Sequence, residues 1–473
     1  MKMYRLRSTS KLFDGEYPEL SEQIIFFSPP SDFNDPLEGE VEIIFHGDSI
    51  VWENFFKHFL LCMEHKVALA TLYKPEERKK FNESGFPIFS SEASLPTSLY
   101  RQCFSTIKDR FFLHEEIIAW IQYLGSRRTP IREEQLLSIF TYIADIALES
   151  ILFGHEKAGL QPQTDFLVAL QNRVNSAPHR KMINIMNVSE EKHIDVAMEV
   201  GGKIIQEVNL IAYCNLGEKA ELINWGYFAS DFPSEYVAHL QRLVFPNWYA
   251  ASFMGKFPKS TDLWGHYADN HKGACLIFNA ERIDKNSRLY IEIERPIGYD
   301  STGKIMKYSP VYFNKVNYEN EKMQVDFFKR LWTQSTHIII NEWYMNAAGQ
   351  KSPLISEVNP SEEVRQEYWN IFLKEHTTKT KDWEKEDEYR LLLYSSLFNF
   401  PEKKDRALHY QFNSLAGIVF GIRMPIKEKA KIIRIIHDKC KENGRKDFSF
   451  YQARYDKKKC EVIYDELSLL KFE

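Results

Sequence analysis

The sequence predicts an α+β protein in which one α+β domain, residues 1–50 and 245–473, is interrupted by a helical region, residues 51–244. Three observations carry that expectation. Short β-like runs bounded by proline, asparagine and aspartate occur towards both ends of the chain, the punctuation of strands and turns. Between them, apolar residues recur at three- and four-residue spacing, as in residues 133–148, which is the period of a helix face. The run Gly273-Ala-Cys-Leu-Ile-Phe278 is apolar at every position after the glycine, as a strand buried on both faces must be.

In chain order, strands are expected at residues 23–28 and 40–45, around a turn-rich stretch, followed by the long helices of 51–244. Short strands return over 248–278, with two helical turns at 264–270. Helical periodicity resumes at 319–348 and 360–376; the aromatic stretch 327–344 within it reads as core. Strands at 389–394 and 417–420, a helix at 426–441 and strands near 448–453 and 460–464 complete the chain.

Composition narrows the function. With 473 residues, 44% of them hydrophobic, and 34 Phe, 24 Tyr and 9 Trp, there is material for two or three cores, which excludes a disordered or fibrous protein. The 61 Lys+Arg against 66 Asp+Glu leave a net charge of −5, so any nucleic-acid contact would have to be a local patch. The lysine runs at 403–404, 427–431 and 457–459 read as solvated surface. Cys62, Cys103, Cys214, Cys275, Cys440 and Cys460 include no C-x-x-C, which argues against a zinc knuckle or a disulfide frame. The N-terminal segment turns polar too early for a signal peptide and no apolar run of spanning length stands out, so a cytoplasmic protein without membrane contact is expected.

Three polar-aromatic clusters could carry chemistry. The first, Phe27 to Glu38, contains two adjacent prolines and Asn34-Asp35-Pro36. Proline fixes φ and Asx side chains bond nearby backbone, so Ser28, Asn34 and Asp35 should be held in place, in a plain inter-strand turn or in a rigid loop lining a pocket. The second is Leu263 to Gly273. On helical turns Trp264, Tyr267 and His271 would share one face, able to stack on a flat ring or to anchor a core. Its histidines have no cysteine or carboxylate at ligand spacing, so no metal is expected. The third is Trp383 to Arg390, where strand alternation would put Glu386, Glu388 and Arg390 on one face. Neighbouring carboxylates repel, so one should hold its proton more tightly unless Arg390 compensates.

In order, Tyr4-Arg5, Ser28 to Pro36, Trp264 to Gly273, Trp383 to Arg390 and Ile418-Val-Phe-Gly421 resemble the marks of a bacterial family of uncharacterised domains. The likeness covers about residues 1–45 and 245–465. Two departures are an extra residue in the proline motif and Ala250-Ala-Ser252 where the family has Cys-Phe-Ser; the literal Cys103-Phe104-Ser105 lies in the helical region. That family is in turn similar to ADP-ribosyltransferases, which cleave the nicotinamide bond of NAD. The resemblance implies an ADP-ribosyltransferase-like split, mostly antiparallel sheet with a large all-helical insertion, and NAD as substrate. It implies Glu388 with Glu386 as the catalytic carboxylates, Arg5 as the NAD-holding residue, and Trp264, Tyr267 and His271 as the stacking face. Tyr4, Ser28, Asn34, Asp35 and Arg390 complete the binding site. It further implies a toxin or phage-defence effector whose ADP-ribose acceptor is a protein side chain, a nucleobase or water, with the insertion open to an inhibitory or sensor partner. Two other readings use the same residues. One is a non-catalytic pocket for a nucleotide or peptide, with the insertion binding a partner. The other is a metal-dependent nuclease with Asp35, Glu386 and Glu388 as ligands, disfavoured because no lysine follows these acids at the spacing such nucleases show.

Overall fold

The computed structural model describes residues 1–35, 37–72, 81, 85–161, 164–175, 189–216, 226–282, 287–321, 323–331, 333–357 and 361–470. Pro36 of the proline motif and Trp332 of the aromatic stretch lie outside the described residues. The chain divides into two units, one of Met1–Glu40, Pro246–Lys322 and Ile371–Glu473, the other of Val41–Phe245 and Met323–Asn370.

The first unit is mixed α/β, built on a nine-stranded, antiparallel-rich sheet. Its strands are β1 (Lys2–Arg7), β2 (Trp248–Met254), β3 (Ala274–Asn279), β4 (Tyr290–Asp300), β5 (Gly303–Lys315), β6 (Glu388–Tyr394), β7 (Leu415–Phe420), β8 (Ser449–Asp456) and β9 (Glu461–Glu466). In space they run β9-β8-β7-β3-β1-β2-β6-β5-β4. Neighbours are antiparallel except β7 and β8, which are parallel and joined through the helix Ile426–Glu442, the crossover that a parallel pair requires. Alternation sorts the two faces. Ala274, Leu276 and Phe278 of β3 share a core with Met3 and Ile418, while Cys275 and Ile277 share another with Tyr4, Leu6 and Val419. Because β3 is covered on both sides, its sequence is apolar without alternation.

Between β1 and β2 the sheet opens. β1 pairs with β3 from Lys2/Asn279 to Arg7/Ala274, and β2 pairs with β6 from Trp248/Tyr394 to Met254/Glu388. β1 meets β2 at Tyr4 and Met254. Beyond that point Ser28 takes the edge of β2, exchanging two backbone hydrogen bonds of 2.9 Å with Ala250. Pro29 and Pro30 follow directly; lacking N–H groups, they cannot extend the ladder, and the chain leaves β2 after one bridge.

Three elements differ from the sequence-based expectation. The helix at 264–270 stops earlier, spanning Thr261–Tyr267. Residues 319–348 do not form one helix: they contain a strand, Gln324–Asp326, a helical turn, Phe327–Lys329, and a helix, Thr336–Trp343. Asp326 caps the turn by accepting from the Phe328 N–H at 3.1 Å, which starts a new element where the periodicity suggested continuation. The hairpin β4–β5, absent from the expectation, places Ile291 and Ile293 inward between exposed or half-buried residues and turns on Asp300, whose carboxylate accepts from the Thr302 and Gly303 N–H groups at 2.7 and 3.1 Å.

The second unit is mainly helical but also holds a three-stranded sheet, Gln324–Asp326, Glu42–Phe45 and Ile131–Arg132 in that order. Residues 41–50 and 323–370, expected with the α+β domain, pack here instead. Val325 pairs with Ile43, and the Phe327 ring lies 5.1 Å from both Phe45 and Phe55, so aromatic burial overrides the chain's linear order. Among the described residues one helix, Glu133–Lys157, is long and apolar enough to cross a membrane, a feature missing from the expectation; 72% of its apolar window is buried in the protein. Its Phe140 stacks on Phe59 at 4.5 Å.

The glycines that close two of the motifs are explained by close approach. A Cβ on Gly273 would stand 2.0 Å from the Arg7 carbonyl oxygen, and one on Gly421 2.3 Å from that of His271. The Gly421 N–H donates to the Gly273 carbonyl at 2.9 Å. Gly273→Ala should therefore cost about 3 kcal/mol, seen as a lower urea midpoint at unchanged slope. Gly265→Ala, where a Cβ would meet nothing within 4 Å, should stabilise its helix by about 0.5–1 kcal/mol. An unaltered midpoint for Gly273→Ala would refute this packing.

Candidate functional site

The opening between β1 and β2 forms a cleft of about 610 Å³, within the range of cofactor sites. Its walls carry residues from β1 and the turn after it, the proline loop, β2, the helix Thr261–Tyr267 and the start of β6. The two ends of the cleft differ in charge.

At one end stand carboxylates. Asp387, at φ 42°, breaks the backbone so that Glu386 closes a helical turn while Glu388 opens β6. The two side chains still meet, because Lys379 donates to Glu386 at 2.7 Å and to Glu388 at 3.2 Å. The same ammonium lies 3.5 Å from Glu38 and 4.7 Å from the centre of the Trp383 ring. Tyr267 donates its hydroxyl to Glu386 at 2.6 Å, and Asn34 donates to that hydroxyl at 3.2 Å. Behind them Arg390 donates to both oxygens of Glu388 at 2.9 and 3.1 Å, to the His376 carbonyl at 2.8 Å, and to Glu38. Glu38, Lys379, Glu386, Glu388 and Arg390 are all buried, and buried charges persist only when paired. These three carboxylates and two cations leave one net negative charge.

The electrostatics follow. Burial raises the Glu388 pKa, Lys379 pulls it back and Glu386 pushes it up again, leaving it above the ordinary glutamate value. Burial alone would lower Lys379, but Glu388 and Glu386 outweigh it and hold the ammonium charged. Burial, then Glu386, raises the Tyr267 phenol, which therefore stays a donor.

At the other end stand cations. Arg5 donates to Glu19 through Nε and Nη2, each at 3.0 Å, and Arg7 Nε donates to the same carboxylate at 2.5 Å. Burial would raise the Glu19 pKa, yet Arg5 and Arg7 bring it below the usual carboxylate range. Lys11 is lowered, first by Arg7 and then by burial, the sign of cations crowded around too little negative charge. Arg5, Arg7 and Lys11 against Glu19 leave two positive charges facing the cleft, an environment that favours an anion.

The structure brings Tyr4, Arg5, Ser28, Asn34, Tyr267, Glu386 and Glu388 to this cleft, and leaves Asp35, Trp264, His271 and Arg390 off its walls. Trp264 does not form a stacking face with Tyr267. After the helix ends, Asp269, Asn270 and His271 take left-handed φ values of 45°, 51° and 71°, which bring His271 back over Trp264 at 6.2 Å and an interplanar angle of 3°. Trp264 is fully buried and donates to the Pro258 carbonyl at 2.8 Å, so it is a core anchor. Arg5 reaches the cleft but is 2% exposed; its Nη1 is spent on the Ser252 carbonyl at 2.8 Å. Asp35 caps its own turn, accepting from the Leu37 N–H at 3.0 Å, and that turn delivers Glu38. Asp35, Glu386 and Glu388 do not converge as ligands, and Lys379 occupies the point between Glu38, Glu386 and Glu388 where a cation would sit.

Sequence reasoning missed Arg7, Lys11, Glu19, Glu38 and Lys379. Glu38 was readable as the residue the turn presents. Lys379 precedes the acids by seven and nine positions and comes from a separate strand, Thr378–Lys379, paired with Asn317–Tyr318, so no spacing rule points to it.

Fold and site thus define an α+β protein with a charged cleft in an opened sheet. Residues 263–391 match the model of a family described as a protein of unknown function (DUF2971). That stretch, which resembles an uncharacterised domain family, contains the Trp264 to Gly273 and Trp383 to Arg390 motifs; Tyr4-Arg5, Ser28 to Pro36 and Ile418 to Gly421 fall outside it. No curated protein and no solved structure matches the chain.

Proposed function

We propose that the cleft binds NAD and cleaves its nicotinamide–ribose bond, as an ADP-ribosyltransferase or an NAD glycohydrolase. One observation carries this reading: the cleft is bipolar, with Arg7 and Lys11 at one end and Glu386 and Glu388 at the other. A dinucleotide complements both ends at once, its pyrophosphate meeting the cations and its positively charged nicotinamide riboside meeting the carboxylates. The resemblance adds a first-strand arginine and a later-strand E-x-E on a split antiparallel sheet. Arg5 is committed to Glu19 and Ser252, so it shapes the wall while Arg7 and Lys11 face the phosphates.

In the reaction the bond between the ribose C1′ and nicotinamide breaks, its electron pair leaving with neutral nicotinamide. The sugar gains oxocarbenium-like charge, which the Glu388 carboxylate stabilises while accepting a hydrogen bond from the 2′-hydroxyl. The acceptor nucleophile, from water, a protein side chain or a nucleobase, then bonds C1′ and releases one proton. Tyr267 offers the aromatic surface beside the leaving ring. Because Glu388 must be ionised and its pKa is raised, first by burial, the rate should climb with pH through an apparent pKa above the roughly 4.3 of a free glutamate.

Calorimetry tests the binding half. Titrating NAD into the Glu388→Gln chain should give saturable heat, and adding Arg7→Ala with Lys11→Ala should weaken binding by about tenfold or more. Absence of saturable binding, or indifference to the double substitution, would remove the reading.

A further inference from the structure

We infer that Lys379 is a positioning residue, holding Glu386 and Glu388 ionised side by side on the cleft wall so that the site presents a single negative charge to the reacting sugar. This rests on the NAD-cleaving reading and deepens it, since nothing in the E-x-E pattern calls for a lysine. The geometry points to it directly. The ammonium bridges Glu386, Glu388 and Glu38 at 2.7, 3.2 and 3.5 Å, is buried, and is covered by the Trp383 ring at 4.7 Å. A lysine wanted only for stability would be served by one carboxylate, because adding further buried acids costs desolvation. Here it is placed where two acids needed together would otherwise repel each other.

The groups facing Glu388 set the expected signs. They are Lys379 and Tyr318 from the paired short strands, Glu386 from the turn before β6, Tyr267 behind Glu386, Glu38 from the N-terminal turn, and Arg390 on β6 itself. Tyr318 accepts from the Glu388 N–H at 2.8 Å and contributes no charge. Removing Lys379 changes the net charge of the five ionised groups from −1 to −2, so one carboxylate must take up a proton at higher pH than before. Removing Glu38 changes it to zero, which has the opposite effect.

The test is a pH titration of the Glu388 carboxyl by carbon NMR, together with the pH–rate profile of nicotinamide release. Lys379→Met should move the Glu388 midpoint and the rate profile up by about one to three pH units. It should also lower kcat at neutral pH by tenfold or more, with KM for NAD nearly unchanged because the pyrophosphate end is untouched. Lys379→Arg should restore most of kcat. Should Lys379→Met fail to fold, Glu38→Gln supplies the second arm and should move the midpoint down. Midpoints that stay at the wild-type value in either variant would overturn the role of Lys379. The carboxyl titration decides this even if the wild-type chain releases no nicotinamide, an outcome that would count against the NAD reading alone.

Discussion

Glu388→Gln is expected to lower the rate of nicotinamide release by about 10²–10³-fold, or roughly 3–4 kcal/mol of transition-state stabilisation. Glutamine keeps the volume and one hydrogen-bond acceptor but removes the charge, so the loss reports electrostatics and not shape. NAD affinity should change little, because Arg7 and Lys11 hold the far end of the dinucleotide. The fold should also survive: Lys379 keeps Glu386 at 2.7 Å and Arg390 keeps Glu38. Glu386→Gln should cost less, on the order of tenfold, because its two oxygens are already engaged by Tyr267 and Lys379. Its role is to support Glu388. A Glu388→Gln rate within twofold of wild type would contradict the assignment.

Arg390→Met should destabilise the protein by about 3–5 kcal/mol, the loss expected when one partner of a buried ion pair is removed. Arg390 is fully buried, and its donors reach Glu388, Glu38 and the His376 carbonyl. Methionine fills the space yet leaves two buried carboxylates short of a cation. Lysine should rescue it poorly, since a single ammonium cannot reproduce a fork that serves three acceptors. By comparison, removing Arg365 from its exposed pair with Glu362 should cost no more than about 1 kcal/mol. Urea unfolding of both variants measures the contrast, and a loss for Arg390→Met as small as that for Arg365→Ala would show that the buried network does not hold the site together.

Parts of this architecture are legible from local sequence. β3 announces itself because burial on both faces removes alternation, and β6 because Leu391-Leu-Leu follows the acids. The helix Ile426–Glu442 lies within a residue of its expected end. What escaped depends on distant contacts or on turn chemistry. The opening of the sheet follows from a register, Tyr4 against Met254, between segments some 250 residues apart, and from Ser28 capturing the edge of β2; no window of sequence contains both. Trp264 and Tyr267 were grouped by helical spacing, but Asp269 and Asn270, residue types that tolerate left-handed φ, signal the end of the helix, and the ring expected to bind a ligand became core. Phe327 and Phe328 carry an apolar signal that says they are buried but not in which unit. Lys379 is the clearest case, a residue whose importance exists only once three chain segments bring Glu38, Glu386 and Glu388 around it.

The central claim, that the bipolar cleft consumes NAD, is tested most directly by incubating the purified chain with NAD labelled in the nicotinamide ring and measuring free nicotinamide against time. The expected result is release beyond one equivalent per chain, saturating with NAD and rising with pH as Glu388 ionises. NAD recovered intact at every pH, bound or unbound, would contradict the claim and leave the cleft a recognition pocket without chemistry.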